Sequence, residues 1–255
     1  MAMIAFEEVS KAQGSAGGRP PLLDRVSFAI DPGEFVLLTG PSGAGKTTLL
    51  HLIAALARPD AGRVYVAGRC VHRLTNASLP YLRRNLGIVF QDLRLLASGG
   101  VEENIRMAVE AQGVRRGEAR ARARVYLELL GLGELRREKI FRLSSDVAQR
   151  VAIARAMAAQ PAILLADEPT SALDTRYTHL VLDLLARLAE RGTTVLMVSR
   201  NPLVAGYARV GRVMHLADGR LDPEKTRTVI HEYSADALPR IDAALWTGSA
   251  AGGPA

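Results

Sequence analysis

A single cysteine, Cys70, stands in 255 residues. It excludes an internal disulfide and points to a reducing compartment, the cytoplasm. Long apolar runs are missing as well. No stretch approaches the ~20 apolar residues that a membrane-spanning helix needs, and the first residues lack the charged-then-apolar order of a signal peptide. Lysine is scarce: Lys11, Lys46, Lys139 and Lys225 are the only four, so arginine carries most of the net charge of +7. Aromatic residues make up 5% of the chain, and none interleaves with the densest basic cluster, Arg115, Arg116, Arg120, Arg122 and Arg124. Grooves for single-stranded nucleic acid need such rings, and sustained heptad repeats are also absent. No nucleic-acid partner is expected, and the cluster reads as a solvated helix face. What is present is ordinary for a globular protein, 48% hydrophobic and 23% charged. That suffices for one large α/β domain or two small ones.

One stretch organises the chain. Gly40-Pro41-Ser42-Gly43-Ala44-Gly45-Lys46-Thr47-Thr48 fits the P-loop pattern G-x-x-x-x-G-K-[ST] at every fixed position. Glu34 to Thr39 before it reads as a buried strand, and Thr47 to Leu56 after it as a helix with apolar residues at helical spacing. Glycines allow backbone N–H groups to turn toward phosphate oxygens, and a helix N-terminus adds unpaired donors and partial positive charge. Lys46 would reach the β- and γ-phosphates, and the Thr47 hydroxyl would ligate Mg²⁺. The chain is therefore expected to bind a nucleoside triphosphate.

Around this loop the pattern is strand and helix in alternation, which means a parallel α/β sheet. Met3–Val9 and Leu22–Ile30 read as strands of a small antiparallel layer, with Phe6 in its core. Residues 63–68 read as a strand followed by a turn, and further strands are expected at 86–90, 162–166, 194–199 and 210–216, with a short one at Arg220-Leu221. From about Val101 to Arg142 helix formers dominate, and the region around 95–160 reads as an inserted helical subdomain. A helix is expected over 148–160, ended by Pro161, and another over 177–191. Residues 1–222 read as one ATP-binding domain and 223–255 as a C-terminal extension. In that extension Val229, Ile230, Tyr233, Ile241, Leu245 and Trp246 suit a short helix packed on the body, a partner contact or disorder, and 248–255 suit a flexible tail.

Ile163-Leu164-Leu165-Ala166-Asp167-Glu168 is an apolar strand ending in two carboxylates, at the place where open α/β sheets hold their ligands. Asp-Glu-Pro is also good helix-start chemistry. Downstream of a P-loop, the preferred roles are Mg²⁺ binding for Asp167 and orientation of the attacking water for Glu168.

With these residues in hand, the chain resembles the nucleotide-binding subunits of ABC transporter-type ATPases over nearly all of residues 3 to 221. The resemblance rests on the P-loop, on Gln91 in Gly87-Ile88-Val89-Phe90-Gln91-Asp92, on Leu143-Ser144, on Asp167-Glu168-Pro169-Thr170 and on Ser171-Ala172-Leu173-Asp174. Within the superfamily the stretch from Leu82 to Leu96 and Val195-Leu196-Met197-Val198 is most similar to the bacterial FtsE cell-division family. Lipoprotein-release and macrolide-export ATPases are close competitors. The resemblance implies a P-loop NTPase (RecA-like) core with an N-terminal antiparallel β layer and an inserted helical subdomain. It implies ATP and Mg²⁺ as cofactors, with Gln91 sensing Mg²⁺ and the attacking water. It also implies a homodimer or heterodimer of ATPase subunits with Asp174 at the subunit contact, and an FtsX-like integral membrane partner that places the chain on the cytoplasmic face of the inner membrane.

Three departures from the family pattern stand out. The signature, usually Leu-Ser-Gly-Gly-Gln or Leu-Ser-Gly-Gly-Glu, reads Leu143-Ser144-Ser145-Asp146-Val147. A carboxylate where a glycine normally approaches phosphate introduces repulsion of a few kcal/mol at ~4 Å and intermediate dielectric. Asp146 with Gln149 instead suits helix N-capping. The switch position, normally His, is Arg200, which stays charged and can clamp phosphate but cannot exchange a proton. Where an adenine-stacking aromatic usually follows the first strand, this chain has Gln13. An ATP hydrolase and an ATP-binding switch or scaffold with little turnover therefore both stand as expectations.

Overall fold

The computed structural model describes residues 1–13, 20–207 and 209–228. The expected tail helix and flexible end, from Val229 onward, lie outside them. The described chain divides into two compact units, residues 1–93 with 160–228, and residues 94–159.

In chain order the first unit holds β1 (Ile4–Lys11), β2 (Leu23–Ile30), β3 (Phe35–Thr39), α1 (Lys46–Ile53), β4 (Ala61–Val66), β5 (Arg69–Cys70), α2 (Leu79–Arg84) and β6 (Leu86–Val89). The second unit contributes α3 (Val101–Glu110), α4 (Arg116–Leu129) and α5 (Ser145–Ala158). The chain then returns to the first unit with β7 (Ile163–Asp167), α6 (Thr175–Glu190), β8 (Thr194–Val198), α7 (Pro202–Ala205), β9 (Arg212–Ala217), β10 (Arg220–Leu221) and β11 (Arg227–Thr228).

Four strands form the antiparallel layer in the order β2-β1-β4-β5. Phe6 is opposite Phe28, and their rings stack with centroids 4.6 Å apart. The alternation along β1 is not continuous. Its register shifts between Phe6 and Val9, with Glu8 in the left-handed region at φ 49°. This bulge switches the inward side from even to odd positions, so Ile4, Phe6 and Val9 are buried while Glu7 and Glu8 stay outside.

The second sheet runs β10-β9-β3-β8-β7-β6, with β11 added on β9. Pairings from β9 through β3, β8 and β7 to β6 are parallel. β7 and β8 are buried at every position, as apolar strands covered on both faces must be. β8 lies between β3 and β7, so the carboxyl ends of these three strands bring Gly40, Ser199-Arg200 and Asp167-Glu168 to one edge. β11 was not expected; two residues carry no periodicity to read. α2 was also missed, since Leu79-Pro80-Tyr81 opens it with a proline rather than a repeating apolar face. Leu196 in β8 is fully buried, so Leu196→Ala should destabilise the protein by about 2–5 kcal/mol, read as a lower denaturant midpoint with an unchanged slope.

In the second unit α3, α4 and α5 pack on one another. Asn104, 2% exposed, bonds the loop that leads into α3: its side chain accepts from Leu96 N–H at 2.7 Å and donates to Gly100 C=O at 2.9 Å. Arg150, also buried, donates to Leu130 C=O at 2.9 Å. α5 starts three residues earlier than expected, with Ser144 in the N-cap position. The expected cap by Asp146 and Gln149 is not formed. Asp146 lies inside the first turn, and the Gln149 side-chain nitrogen is buried without a hydrogen-bond partner among the described residues.

Candidate nucleotide site

The P-loop joins the end of β3 to the start of α1, and its glycines serve different ends. A Cβ on Gly40 (φ 140°) would stand 1.9 Å from the Leu216 carbonyl oxygen, and one on Gly45 (φ 98°) 2.7 Å from that of Leu22. These two glycines let the loop lie against the protein's own backbone. Gly43 (φ 81°) has nothing within 4 Å of that point. The open space beside Gly43 is where the loop can receive a ligand.

Lys46 opens α1 and is 7% exposed. Its ammonium curls onto the loop, donating to Gly40 C=O at 2.8 Å and Pro41 C=O at 2.7 Å. Burial lowers its pKa, and the Glu168 carboxylate opposes that shift. Thr47 Oγ1 donates to Asp167 Oδ2 at 2.7 Å, a contact that ties the loop to the end of β7. Asp167 is 5% exposed. Burial pushes its carboxyl above the usual range, the Thr47 hydrogen bond works the other way, and the neighbouring Glu168 charge pushes it up again.

Glu168 follows at 8% exposure, with φ 48°. A non-glycine residue in the left-handed region carries about 1–2 kcal/mol of strain. Such strain persists where surroundings over-determine it, most often at functional sites. Here the Glu168 N–H donates to Val198 C=O at 3.0 Å, its own C=O accepts from Ser171 N–H at 3.2 Å, and the side chain meets Arg200. Arg200 Nε donates to Glu168 Oε1 at 2.9 Å, the Arg200 backbone N–H to Oε2 at 3.3 Å, and the guanidinium to Ser42 Oγ at 2.9 Å.

These groups surround a cavity of about 320 Å³ lined by Leu22, Ser42, Gly43, Gly45, Lys46, Thr47, Thr48, Gln91, Asp167, Glu168, Val198 and Arg200. Gln91 is exposed on its wall. Leu22, not singled out in the sequence, joins the lining from the chain entering β2. Gly40 and Pro41 line a second cavity of about 670 Å³ with Thr39, Arg200 and His215, and Ala44 is buried beneath the loop. Asp174 lies on neither wall: its carboxylate caps α6, accepting from Tyr177 N–H at 2.8 Å. Gln13 is exposed, and Phe6 is in the core as expected.

Ser144, Ser145 and Asp146 belong to the second unit. There Ser144 Oγ bonds Asp146 Oδ1 at 2.5 Å and Arg150 reaches Asp146 Oδ2 at 3.3 Å. The Ser144 hydrogen bond leads the effects that hold the Asp146 carboxyl below its ordinary value. Within the signature stretch Ser144 and Asp146 thus bond each other, and Arg150 of α5 takes the second carboxylate oxygen.

Asp167 supplies a pH-dependent prediction. Its pKa is raised in the fold, so its contribution to stability is fullest below 3.8 and is lost as pH rises through the folded value. Asp167→Asn keeps an acceptor for Thr47 and removes the buried charge. Without ligands the variant should melt higher than wild type, by a margin that grows from acid toward neutral pH; equal melting temperatures across that range would contradict the buried charge.

A P-loop at the centre of a parallel sheet, with a paired carboxylate end beside it, defines a nucleotide-binding protein of the P-loop class. The ABC transporter family model matches residues 23–171. Cell division ATP-binding protein FtsE of Escherichia coli (strain K12) is 41% identical over 219 residues, 86% of this chain and 97% of that protein. The FtsE of Mycobacterium tuberculosis is 40% identical over 227 residues, with 89% and 97% covered. Macrolide export ATP-binding/permease protein MacB of Hyphomonas neptunium is 39% identical over 220 residues, 86% of this chain but 34% of that protein. Among solved structures, a dimeric ATP-binding cassette in a post-hydrolysis state with ADP and Pi superposes with a TM-score of 0.83. It is 33% identical, with 90% of this chain and all of that one covered. The chain belongs to the ABC transporter family, as an FtsE-like ATP-binding subunit.

Proposed function

We propose that this protein binds ATP with Mg²⁺ in the cavity beside Gly43, hydrolyses it, and couples that cycle to an integral membrane partner in cell division. One observation carries the reading: Lys46, the Thr47–Asp167 pair and Glu168 converge on one cavity whose wall is open at Gly43. Lys46 now donates to two neutral carbonyls, and anionic phosphate oxygens are the stronger acceptors. The N–H groups at the start of α1 add donors where phosphate charge would lie.

Asp167 and Thr47, with Gln91 on the wall, are suited to hold Mg²⁺, which would neutralise phosphate charge. A buried carboxylate whose ionised form is disfavoured is stabilised by a cation. Among the described residues no group of three His, Cys, Asp or Glu could hold a metal unaided, so nucleotide oxygens would complete the set. Glu168 would align a water with the γ-phosphorus and accept its proton. The water oxygen bonds phosphorus, the bond to the β–γ bridging oxygen breaks, and ADP and phosphate leave.

We take residues 1–222 as the ATP-binding domain, with its helical part about 95–160, and 223–255 as the extension. Among the described residues no helix is long and apolar enough to cross a membrane, which accords with a peripheral subunit that needs an FtsX-like partner to reach the inner membrane. The dimeric cassette among the solved structures supports a dimer, and we place Ser144, Ser145, Asp146 and Asp174 toward the second subunit. The test is steady-state phosphate release by the purified chain, alone and with its membrane partner in vesicles. Release above background that rises with the partner is expected.

A second reading, an ATP-binding switch with little turnover, is favoured by the Ser144–Asp146 bond and by the Glu168–Arg200 pair. Background release from a protein that still binds ATP and dimerises with it, followed by light scattering, would select it.

A further inference from the structure

We propose that Arg200 is a latch on Glu168, opened by the terminal phosphate of a bound nucleoside triphosphate; this rests on the ATP reading above. Both oxygens of Glu168 are engaged by Arg200, one by Nε at 2.9 Å and the other by the backbone N–H at 3.3 Å. The same guanidinium holds Ser42 of the P-loop at 2.9 Å. It therefore ties the carboxylate at the end of β7 to the loop after β3, all three residues lining the cavity. The partners differ in access: the Arg200 side chain is 53% exposed and that of Glu168 9%. The arginine can be reached by a ligand, while the carboxylate is buried behind it.

The chemistry sets how such a latch opens. A guanidinium does not titrate in the working range, so no proton can release it; a competing anion can. Lys46 lies close enough to Glu168 and Arg200 for both charges to act on its ammonium. A phosphate that engages Lys46 therefore enters the field of Arg200. The P-loop lysine reaches the β/γ-phosphates, which makes the terminal phosphate the competitor. Phosphate offers more charge and more acceptor oxygens to the planar fork than a single carboxylate does. Two of the carboxylate's roughly four lone-pair sites are taken by these donors, and Oε1 is committed to the guanidinium. While latched, Oε1 of Glu168 is kept from water; once the guanidinium turns to phosphate, Oε1 is released at the moment its substrate is present, and the backbone N–H still holds Oε2. Arg200 is thus a positioning residue that acts through Glu168, and it discriminates triphosphate from diphosphate.

The test is a double-mutant cycle on nucleotide affinity. Wild type, Glu168→Gln, Arg200→Ala and the double variant are titrated with ADP and with adenosine 5′-(β,γ-imido)triphosphate, in Mg²⁺. Breaking the ion pair with Glu168→Gln should tighten the triphosphate analogue about tenfold, the scale of a charge-assisted hydrogen bond. In the Arg200→Ala background the same change should yield less than about threefold, with ADP affinity nearly constant throughout. Arg200→Lys is a second variant that keeps the charge; without the planar fork it cannot bridge Glu168 Oε1 and Ser42 as the guanidinium does, so it should show an intermediate coupling.

Equal tightening by Glu168→Gln in both backgrounds would mean simple repulsion from the carboxylate and would overturn the latch. So would a loss on Arg200→Ala that is as large for ADP as for the triphosphate analogue, which would make the pair structural. If folded wild type binds neither nucleotide, the ATP reading fails and the latch with it. If both nucleotides bind without coupling, the latch alone fails.

Discussion

Glu168→Gln should reduce phosphate release by a factor of about 10²–10⁴, the range that a positioned general base contributes, while ATP binding is kept or tightened. The amide is nearly the same size as the carboxylate and still offers Oε1 to Arg200, so the end of β7 should keep its shape. What it loses is a basic lone pair facing the cavity and a negative charge beside the phosphates. The separation matters: a variant that loses binding and turnover together has lost the site, whereas one that binds but does not release phosphate has lost the base. Phosphate release with labelled ATP, alongside equilibrium titration of the same preparation, distinguishes the two. Undiminished release would remove Glu168 from the chemistry and shift attention to Gln91, another polar residue on the wall that could orient water.

Lys46→Ala should weaken triphosphate binding by about 10–100-fold, since hydrogen bonds from a charged donor contribute about 1.5–3 kcal/mol. Without ligand the effect should be small. Burial lowers the lysine's pKa, so its charged form is held against desolvation, and its bonds to the Gly40 and Pro41 carbonyls only partly offset this. The ligand-free variant should therefore melt within a few degrees of wild type. The clearest readout is the upward shift of melting temperature produced by ATP, which follows the ratio of ligand concentration to Kd. Saturating ATP should raise it in wild type and barely move it in Lys46→Ala. A full shift in the variant would place the phosphate grip on the loop N–H groups rather than on the ammonium.

Several local features were legible because they are encoded by neighbours in the chain. The P-loop pattern is contiguous, so Gly40 to Thr48 could be recognised without knowing what lies around them. β7 and β8 are continuous apolar runs, and only a strand covered on both faces uses such runs. The Asp167-Glu168 pair follows one of them directly, so its position at a strand end was implied by the same residues. The antiparallel layer was visible from alternation. The bulge at Glu8 was not, since a left-handed glutamate depends on the pairing of β1 with two neighbours and leaves no mark in composition. The start of α5 was misplaced for a related reason: both Ser144 and Asp146 are good capping residues, and in the fold Ser144 takes the N-cap position while its hydroxyl bonds Asp146.

The glycines show the boundary most clearly. By pattern the three loop glycines are alike, each a place where backbone can approach phosphate. Their surroundings separate them, because Gly40 faces Leu216 and Gly45 faces Leu22, while Gly43 faces open space.

The sequence by itself determined the P-loop, the buried strands that carry it and the carboxylate pair, because each is a run of adjacent residues with one physical explanation. Only the tertiary structure decided that Arg200 holds Glu168 and Ser42. Ser42 is 158 positions from Arg200 and Glu168 is 32 away. They meet because β8 is threaded between β3 and β7, and strand order is set by long-range pairing that no local pattern records. The same threading turns a substitution that looked like a lost switch residue into a specific contact with the candidate catalytic carboxylate.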